Sequence, residues 1–380
     1  MNILVICHYG LYQDLTSSFV HNQLREFTSC GHRVRVIIPN GIGKKDRKNK
    51  RFSTMLNVTT ADGAELFDLR YITLSSYGKK RFNAFSAYQS LRLLRKKILK
   101  DFDPDIIHAH TLGLDSELGA KLKTIFNCPL VVTTHGSDTA VPMAKGENEL
   151  LRSRADKADV IVAVSNQLGE LLASSGTKTR IITIHNGFVP HNLSSPPEKD
   201  PFSVIQVGHL IESKKNEITI RAFAKLKKTY SKLSLTVVGI GNLRGKLEEL
   251  CRELGVEDSV SFTGQLPNSE VFKRMCSAAY FVMPSKPEGF GIVYLEAMAA
   301  GCVTVGTAGQ GIADIIKSGE NGFLVEADDV EAVVSVLADC INDRELKERI
   351  ADNGRKTAAK LDWTTNAEKH IALYNALLHK

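Results

Sequence analysis

Short apolar segments recur along the whole chain and are separated by stretches of helix length. Each segment has four to six residues, is rich in β-branched side chains and is nearly continuous in apolar character. That pattern is typical of strands buried on both faces of a parallel sheet. The intervening stretches repeat their apolar residues with a helical period, for example at 217–230 and 242–255. This alternation predicts βαβ units and an α/β fold.

The predicted strands fall into two series. The first series covers residues 2–7, 33–38, 105–109, 130–134, 159–164 and 180–184. The second covers residues 203–207, 235–239, 259–263, 280–283, 302–306 and 322–325. Between the series, residues 192–202 contain three prolines and two serines and are predicted to be a linker. The sequence therefore predicts two doubly wound halves, each binding ligands beyond the carboxyl ends of its strands.

Composition restricts the class of protein. The chain has 380 residues, of which 43% are hydrophobic and 24% charged, as expected for two globular domains. It lacks an apolar run of about 18 residues, which a transmembrane helix requires. The first residues lack the cationic start of a signal peptide, so we expect a cytoplasmic protein. The seven cysteines form no C-x-x-C pair, which argues against a disulfide framework or a zinc site.

The net charge of +7 is unevenly distributed, since residues 1–195 carry +9 and residues 196–380 carry −2. Segment 79–100 has eight lysines and arginines and no acid. Its apolar residues recur at steps of three or four, as in an amphipathic helix with a cationic rim: Phe82, Phe85, Tyr88, Leu91, Leu94 and Ile98. The segment is either an ordinary packed helix with solvated lysines or a peripheral contact with the anionic inner face of the cell membrane, helped by the basic run 44–51. No aromatic-interleaved basic face for nucleic acid is present.

The densest candidate chemistry follows the predicted strand 280–283. There the loop SKPEGFG enters a helix at about Ile292. Gly289 and Gly291 permit close backbone approach, and the amides at a helix start suit phosphate or sugar oxygens.

Two carboxylates belong to the same segment. Glu288 stands at the tip of the loop, and Glu296 lies eight residues later on the helix. Both side chains can accept hydrogen bonds from vicinal hydroxyls. The alternative is that both are charges that favour a helix N-terminus.

The first half offers His135 and Asp138 in the motif THGSD, directly after a predicted strand. The strand-end position favours an active-site role for His135 over a structural bond to the loop. Asp138 either positions an acceptor hydroxyl or caps a helix. His108 and His110 point the same way along one strand, but without a third ligand we expect no metal site.

One segment resembles a known family. EGFGIVYLEAMAAG (288–301) is similar to the E-x7-E signature of the family-4 glycosyltransferases, which are retaining enzymes with the GT-B fold. Further segments match that family in order along nearly the whole chain: 105–110, 131–138, 154–166, 184–188, 207–216, 262–285, 311–325 and 362–374. The opening segment 17–39 is similar to members that build bacterial surface polysaccharides.

The resemblance implies a GT-B fold, in which two doubly wound Rossmann-like domains face each other across a cleft. Residues 1–193 would form the N-terminal, acceptor-binding domain, and residues 194–202 the linker. Residues 203–360 would form the C-terminal domain that binds the nucleotide-sugar donor. Residues 361–380 would form a helix that packs back toward the N-terminal domain.

The activity implied is that of a retaining, metal-independent hexosyltransferase without a cofactor. It would move a hexose-type sugar from a nucleotide diphosphate sugar, with UDP favoured, to a hydroxyl of a glycan or lipid-linked acceptor in bacterial surface polysaccharide synthesis. Two alternatives stay open: a sugar-nucleotide epimerase on the same fold, and a non-catalytic nucleotide-sugar-binding protein.

The resemblance also implies roles for single residues. Glu288 would hold donor-sugar hydroxyls, and Glu296 both ribose hydroxyls. Lys214 would neutralise the diphosphate leaving group, the adjacent Lys215 could substitute for it, and Leu266 would flank the base.

The remaining implied roles belong to backbone amides and to one imidazole. The amides of Phe290, Gly291 and Ile292, next to Gly289, would line the sugar and the diphosphate. His135 would lie beside the reacting sugar as a catalytic residue.

The chain departs from the family pattern at two positions. His209 stands where the family usually has Arg, so a shorter and mostly neutral imidazole replaces a guanidinium beside the diphosphate. Thr16, Ser17 and Ser18 stand where many members have a Gly pair; their hydroxyls and amides can still contact phosphate or an acceptor.

Overall fold

The computed structural model describes residues 1–7, 18–43, 55–74, 80–189 and 197–379. The chain divides into two compact units. Unit 1 combines Met1–His185 with Trp363–Lys380, and unit 2 is Asn186–Asp362.

Unit 1 is built on an eight-stranded sheet. Its strands are β1 Asn2–Ile6, β2 Arg33–Ile42, β3 Leu56–Ala61, β4 Ala64–Ile72, β5 Ile106–His110, β6 Leu130–Thr134, β7 Val160–Ala163 and β8 Arg180–Thr183. The order is β3-β4-β2-β1-β5-β6-β7-β8, and all neighbours are parallel except the β3–β4 hairpin. The helices before the second unit are α1 Ser18–Ser29, α2 Lys80–Ile98, α3 Leu114–Phe126, α4 Ser137–Ala144, α5 Asn148–Ala155 and α6 Asn166–Ala173.

Unit 2 is built on a six-stranded, fully parallel sheet. Its strands are β9 Asp200–Val207, β10 Ser234–Val238, β11 Val260–Gly264, β12 Ala278–Val282, β13 Val303–Thr307 and β14 Phe323–Val325, in the order β11-β10-β9-β12-β13-β14. Its helices are α7 Asn216–Lys227, α8 Arg244–Glu253, α9 Asn268–Ser277, α10 Ile292–Ala299, α11 Val330–Asn342 and α12 Arg344–Ala358. The predicted α/β class with two doubly wound sheets is confirmed.

The strands read as continuous apolar runs because both faces of each sheet are covered. In β1, Ile3 and Val5 pack into one hydrophobic cluster, whereas Leu4 and Ile6 pack into another on the opposite face. All four side chains are fully buried. Helices on both faces of the sheet therefore remove the polar–apolar alternation that a half-exposed strand would show.

The structure differs from the predicted local structure at two places. We did not predict the β3–β4 hairpin, whose turn residues Asp62 and Gly63 both have positive φ, as hairpin turns with the twist of the flanking strands require. The predicted linker 194–202 overlaps β9, which begins at Asp200. Pro201 is tolerated there because the pairing of β9 with β12 shifts register between Ala278 and Tyr280, so its missing amide interrupts no regular ladder.

The last helix, α13 Trp363–Leu378, belongs to unit 1. It packs against α1, where Gln23 Nε2 donates to Asn366 Oδ1 at 2.9 Å. Ala367 and Tyr374 enter the same hydrophobic cluster as β1. The core of unit 1 is therefore completed by residues more than 300 positions away from its first strand.

Helix α2 keeps the last four of its six predicted apolar positions at the core, but not the first two. Ala87, Leu91 and Ile98 face the core. Phe82 and Phe85 belong to the predicted apolar stripe, but they are 41% and 60% exposed. The stripe drifts around the helix because its steps do not add up to whole turns. No helix in the described part of the chain has the length and hydropathy needed to span a bilayer.

Candidate active site

Two loops of unit 2 meet beyond the carboxyl ends of neighbouring strands. Lys214 follows β9 and Glu288 follows β12, and these strands are adjacent in the sheet. Lys214 Nζ donates to Glu288 Oε2, and only 20% and 12% of the two side chains are exposed. The sequence prediction that these two residues share one site is thus supported by direct contact.

The backbone around Glu288 is fixed by the loop after β13. Glu288 N donates to Gln310 Oε1 at 2.8 Å, and Gly311 N donates to the Glu288 carbonyl at 3.2 Å. Gly311 has no space for a side chain, because a Cβ would lie 2.0 Å from the carbonyl oxygen of Gly289. Two loops therefore pack backbone to backbone under the Glu288 carboxylate.

A buried tyrosine holds the loop that carries Glu288. Tyr294 on α10 donates its hydroxyl to the carbonyl of Met283 at 2.6 Å and lies 3.2 Å from Ser285 Oγ. Ser285 Oγ in turn donates to Glu288 Oε2 at 2.9 Å. Burial raises the pKa of Tyr294 far above its usual value, so the phenol stays protonated and keeps donating. The orientation of Glu288 is thus set before any ligand binds.

The helix start next to Glu288 depends on glycine. Gly291, the N-cap of α10, has φ +78°, and a Cβ there would lie 2.5 Å from the Tyr294 ring. Phe290 is buried, and its side chain anchors the loop, while Ile292 is the first residue of the helix. The segment brings its backbone, rather than side chains, to the surface of the site.

Lys214 ends a short 3-10 turn, Glu212–Lys214, and its carbonyl accepts from Gln206 Nε2 at 3.1 Å. The amide of Lys286 donates to the carbonyl of Ser213 at 2.7 Å, which joins this turn to the loop that carries Glu288. Two contacts, one between backbones and one between charges, therefore hold the two loops together.

Lys215 is directed to a different partner. It has φ +50°, and its ammonium pairs with Asp328 Oδ1 at 2.7 Å. The hydrogen bond that its ammonium donates to Asp328 raises the pKa of Lys215 above its usual value. The structure thus separates the two lysines that the sequence placed together, since only Lys214 reaches Glu288.

Glu296 lies on α10 and is largely buried. Burial raises the pKa of Glu296 to about 7, and no charged group among the described residues offsets the cost. Hydrogen-bond donors that approach a carboxyl group in this environment stabilise its ionised form. Of the other predicted donor residues, His209 is exposed after Gly208, and Leu266 is half-buried after β11.

In unit 1, His135 follows β6 and contacts His110, the last residue of β5. His135 Nε2 and His110 Nδ1 share a hydrogen bond of 3.1 Å, and their rings stack with centroids 5.4 Å apart. The Phe19 ring also lies against the His135 ring, with centroids 4.3 Å apart. His135 is therefore held by a side chain from the neighbouring strand as well as by its own loop.

The imidazoles continue into the core as a histidine cluster, formed by His108, His110, His135 and His370. His108 bonds to Thr133 Oγ1 and to the hydroxyl of Tyr374, both at 2.7 Å. Burial, followed by the neighbouring histidines, lowers the pKa of His108 well below its usual value. Burial likewise lowers the pKa of His370 to about 4. Sequence reasoning missed His370 and Tyr374, because nothing local connects α13 with β5.

Asp138 has a defined structural role. Its Oδ1 accepts from the amides of His135 and Gly136, both at 3.0 Å, and its Oδ2 accepts from the amide of Leu112 at 2.9 Å. The predicted alternative that it caps α4 was wrong, since the N-cap is Gly136. Asp138 instead joins the loops after β5 and β6.

A cavity of about 570 Å³ opens beside Asp138, at the carboxyl ends of β2, β4, β5 and β6. Its described wall combines apolar and polar side chains: Pro39, Tyr71, Ala84, Leu112, Leu114 and Pro142, with Asn40, Asn83, Thr111, Glu117, Ser137 and Arg154. We did not predict this cavity from the sequence, because its wall comes from six separate segments.

Of the remaining predicted residues, Ser17 lies outside the described residues, and Ser18 is the first residue of α1. A search of the described residues finds no group of three or more His, Cys, Asp or Glu side chains that could hold a metal ion.

Comparisons with known proteins agree for both units. A family model described as "Glycosyl transferases group 1" matches residues 192–357. A second model, described as "Glycosyltransferase Family 4", matches residues 16–191. The two matches correspond to the second and first units and leave only short segments at the termini.

Relatives and solved structures support the same assignment. An uncharacterized glycosyltransferase of Methanocaldococcus jannaschii is 28% identical over 290 residues, which are 75% of this chain and 79% of that protein. A GDP-mannose-dependent alpha-(1-6)-phosphatidylinositol monomannoside mannosyltransferase of Mycolicibacterium smegmatis is 26% identical over 63% of this chain and 68% of its own. The fold is similar to that of Anabaena HepE, solved with UDP, with a TM-score of 0.77 and 19% identity over 99% of this chain and all of that one.

Proposed function

The chain belongs to glycosyltransferase family 4 and has the GT-B fold, and on that premise we propose that it is a retaining hexosyltransferase. It moves a hexose-type sugar from a UDP-sugar to a hydroxyl of a glycan or lipid-linked acceptor. The enzyme acts in the cytoplasm or at the inner face of the membrane, in the synthesis of bacterial surface polysaccharide.

The observation that carries this proposal is the contact between Lys214 and Glu288. A transferase must hold the sugar hydroxyls and balance the charge that develops on the departing diphosphate. Ser285 fixes the orientation of Glu288, whose carboxylate can accept hydrogen bonds from sugar hydroxyls. Lys214 supplies a cation at the same place. Lys214 and the amides at the start of α10 balance the diphosphate without a metal ion.

Glu296 supports binding of the nucleoside part of the donor. Its carboxyl group is buried, no charged partner for it occurs among the described residues, and its pKa is about 7. Two ribose hydroxyls would donate to it and stabilise the ionised form, so binding would lower its pKa. Affinity for the nucleotide is therefore expected to rise as pH increases toward 7 and to level off above it.

The preference for UDP and for a lipid-linked or glycan acceptor rests on similar proteins. HepE is solved with UDP, and the name of the mycobacterial relative specifies a phosphatidylinositol monomannoside. Since the name of that relative also specifies GDP-mannose, guanine nucleotides are part of the test.

Binding is tested first, by thermal shift and calorimetry with UDP, UDP-glucose, GDP and GDP-mannose. A ligand at 100 times its Kd stabilises the protein by about 2.7 kcal/mol, which is a measurable shift. We expect one nucleotide class to stabilise the protein and Glu296→Gln to lose most of the effect. Glu345→Gln, at an exposed position of α12, is the matched control. No stabilisation by any nucleotide would contradict the proposal.

Acceptor dependence then separates transfer from its alternatives. Release of nucleotide only when an acceptor is present indicates a transferase, whereas conversion of the donor sugar without an acceptor indicates an epimerase. Donor binding with neither reaction indicates a non-catalytic binding protein. NMR of the product reports the anomeric configuration.

A further inference from the structure

Unit 2 has a cavity at the opposite edge of its sheet from Lys214 and Glu288. The volume of this cavity is about 730 Å³, and its wall includes Pro201 of β9, Ala279 of β12 and Gly301, which precedes β13. These three strands are neighbours and run parallel, so the cavity lies at their amino ends. Helix α12 supplies most of the remaining wall, and none of the residues predicted to bind the donor contributes to it.

Two cationic side chains of this cavity converge above Gly301. A Cβ added to Gly301 would lie 2.1 Å from Arg355 Nη1 and 3.3 Å from Lys199 Cε. The two side chains therefore approach the same point, which only a glycine leaves open. Arg355 also pairs with Asp352 on its own helix, but both of these side chains are about half exposed. Two like charges this close repel each other, and an anion bound between them would remove the repulsion.

Lys199 is the more buried of these two cations, and its charge has no counterion in the described part of the chain. Its Nζ donates to the carbonyl of Ala278 at 2.7 Å and to that of Met275 at 3.3 Å. An ammonium group has three donors, so one is left for a ligand. Burial lowers the pKa of Lys199, and the charge of Arg355 acts in the same direction. A bound anion would offset the cost of this buried charge.

A third cation lines the same cavity. Lys347 lies eight residues before Arg355 on α12, and both side chains belong to the cavity wall. Lys347 is half-buried, and no carboxylate of the described residues pairs with it, whereas Arg344 pairs with Glu348 at 2.7 Å. We call Lys199, Lys347 and Arg355 the cation cluster. Three cations around one cavity, two of them without a carboxylate, favour a group that carries two negative charges, such as a phosphate.

The rest of the wall fits the remainder of a phosphate-bearing molecule. The volume of about 730 Å³ lies within the range of small-ligand sites and exceeds what a phosphate group alone would fill. Pro201, Ala279 and Ala351 offer apolar surface, and the carboxylates of Glu198 and Asp352 can accept hydrogen bonds from hydroxyls. Because these carboxylates would repel a second anionic group, the part of the ligand beyond the phosphate should be uncharged and rich in hydroxyls.

We propose that this cavity binds a sugar phosphate, with the phosphate on the cation cluster and the sugar hydroxyls on Glu198 and Asp352. The ligand is not a reactant, because Lys214 and Glu288 lie beyond the other ends of the same strands. The site is independent of the proposed function, since it uses none of the residues assigned to the donor.

Binding is tested by calorimetry of the full chain with glucose 6-phosphate, inorganic phosphate and glucose. We expect glucose 6-phosphate to bind most tightly, inorganic phosphate to bind more weakly, and glucose not to bind. Inorganic phosphate that binds as tightly as glucose 6-phosphate would overturn the assignment of a sugar. No binding of either phosphate compound to the wild type would overturn the site itself.

Variants of α12 then locate the site. Arg355→Gln is expected to lower the affinity for glucose 6-phosphate by about tenfold or more, the effect of losing a charge-assisted hydrogen bond. Arg349→Gln is the matched control, because it removes an exposed arginine of the same helix that does not line the cavity. Lys347→Gln, with exposed Lys356→Gln as its control, repeats the test if Arg355→Gln folds poorly. Equal affinities in a variant and its control would overturn the cation cluster as the phosphate site.

The donor site is excluded as the place of binding by Lys214→Ala. We expect this variant to bind glucose 6-phosphate as the wild type does, and Arg355→Gln to keep its affinity for nucleotide. Loss of glucose 6-phosphate binding in Lys214→Ala, with binding retained in Arg355→Gln, would place the ligand in the donor site and overturn the inference.

Discussion

The two units present opposite chemistry at the carboxyl ends of their sheets. In unit 2, Lys214 and Glu288 form a charge pair that is oriented by nearby loops. In unit 1, the histidine cluster is assembled from β5, β6 and α13, and burial lowers the pKa of two of its members, His108 and His370. A site for a charged diphosphate needs fixed charges, whereas a site for a neutral hydroxyl needs shape and exclusion of water. Under the proposed function, unit 2 would bind the donor and unit 1 the acceptor.

The two regions also respond to pH in opposite directions. Burial lowers the pKa of His108 and His370, so unit 1 loses stability as pH falls below about 6.5, where only the unfolded chain takes up protons. Burial raises the pKa of Glu296 to about 7, so unit 2 loses stability as pH rises from about 4.5 to about 7, where only the unfolded chain releases the proton. Each site carries its own desolvation cost.

The largest effect is expected from Lys214→Ala. Without its ammonium, the charge on the leaving diphosphate is unbalanced and Glu288 loses its cation, so kcat at saturating donor should fall about 10²–10³-fold. Lys225→Ala removes an exposed lysine paired with Glu331 and should leave kcat unchanged. Similar rates for the two variants would contradict a role for the Lys214–Glu288 pair in the reaction.

The second effect concerns stability rather than rate. Glu296→Gln removes a buried acid and should stabilise unit 2 by about 2 kcal/mol at pH 8, with a much smaller gain at pH 5. Calorimetry of Glu296→Gln and Glu345→Gln at both pH values checks this difference. A gain that is independent of pH would show that ionisation of Glu296 is not its cause.

The third effect concerns the histidine cluster. His370→Gln removes one group that unit 1 keeps neutral, so the slope of unfolding free energy between pH 6.5 and 4 should decrease by up to about 1.4 kcal/mol per pH unit. The chain has a single tryptophan, Trp363, which is buried in unit 1, so its fluorescence during urea titration reports this unit. The exposed His379→Gln should leave the slope unchanged, and an equal change in both variants would contradict the assignment.

The smallest effect is expected from Tyr374→Phe, which removes the hydrogen bond to His108. Unit 1 should lose about 1 kcal/mol of stability at pH 7, while the affinity of unit 2 for nucleotide stays the same. Tyr88→Phe on α2 serves as the control. Loss of nucleotide affinity in Tyr374→Phe would show that the two sites are coupled, which would contradict their independence.

The same comparison explains what the sequence could predict. In unit 2 the site is local: Gly289, Gly291, Glu288 and Glu296 lie in one loop and helix, so a motif finds them. Lys214 follows the neighbouring strand, and the rule that ligands bind at carboxyl ends places it there. The commitment of Lys215 to Asp328 depends on a loop more than 100 residues away, and no sequence pattern indicates it.

In unit 1 the site is assembled from distant segments, so the sequence indicated only its strand-end residues, among them His135 and Asp138. His370 and Tyr374 reach His108 from more than 260 positions away. The hairpin was missed for another reason. Residues Leu56–Ala61 form an edge strand with exposed positions, so a search for continuous apolar runs overlooks it. The Asp62–Gly63 turn was the signal that would have revealed it.

The place of α13 in unit 1 has a consequence for how the protein is made. A ribosome releases residues 363–378 only after the whole of unit 2 has been synthesised. Unit 2 is continuous in sequence, so all of its residues are available for folding once Asp362 has been synthesised. The hydrophobic cluster of unit 1 around α1 and β1 stays incomplete until Ala367 and Tyr374 have been synthesised. The first domain to be translated is thus the last to be finished, and a chain that stops before Trp363 carries a complete second domain beside an incomplete first.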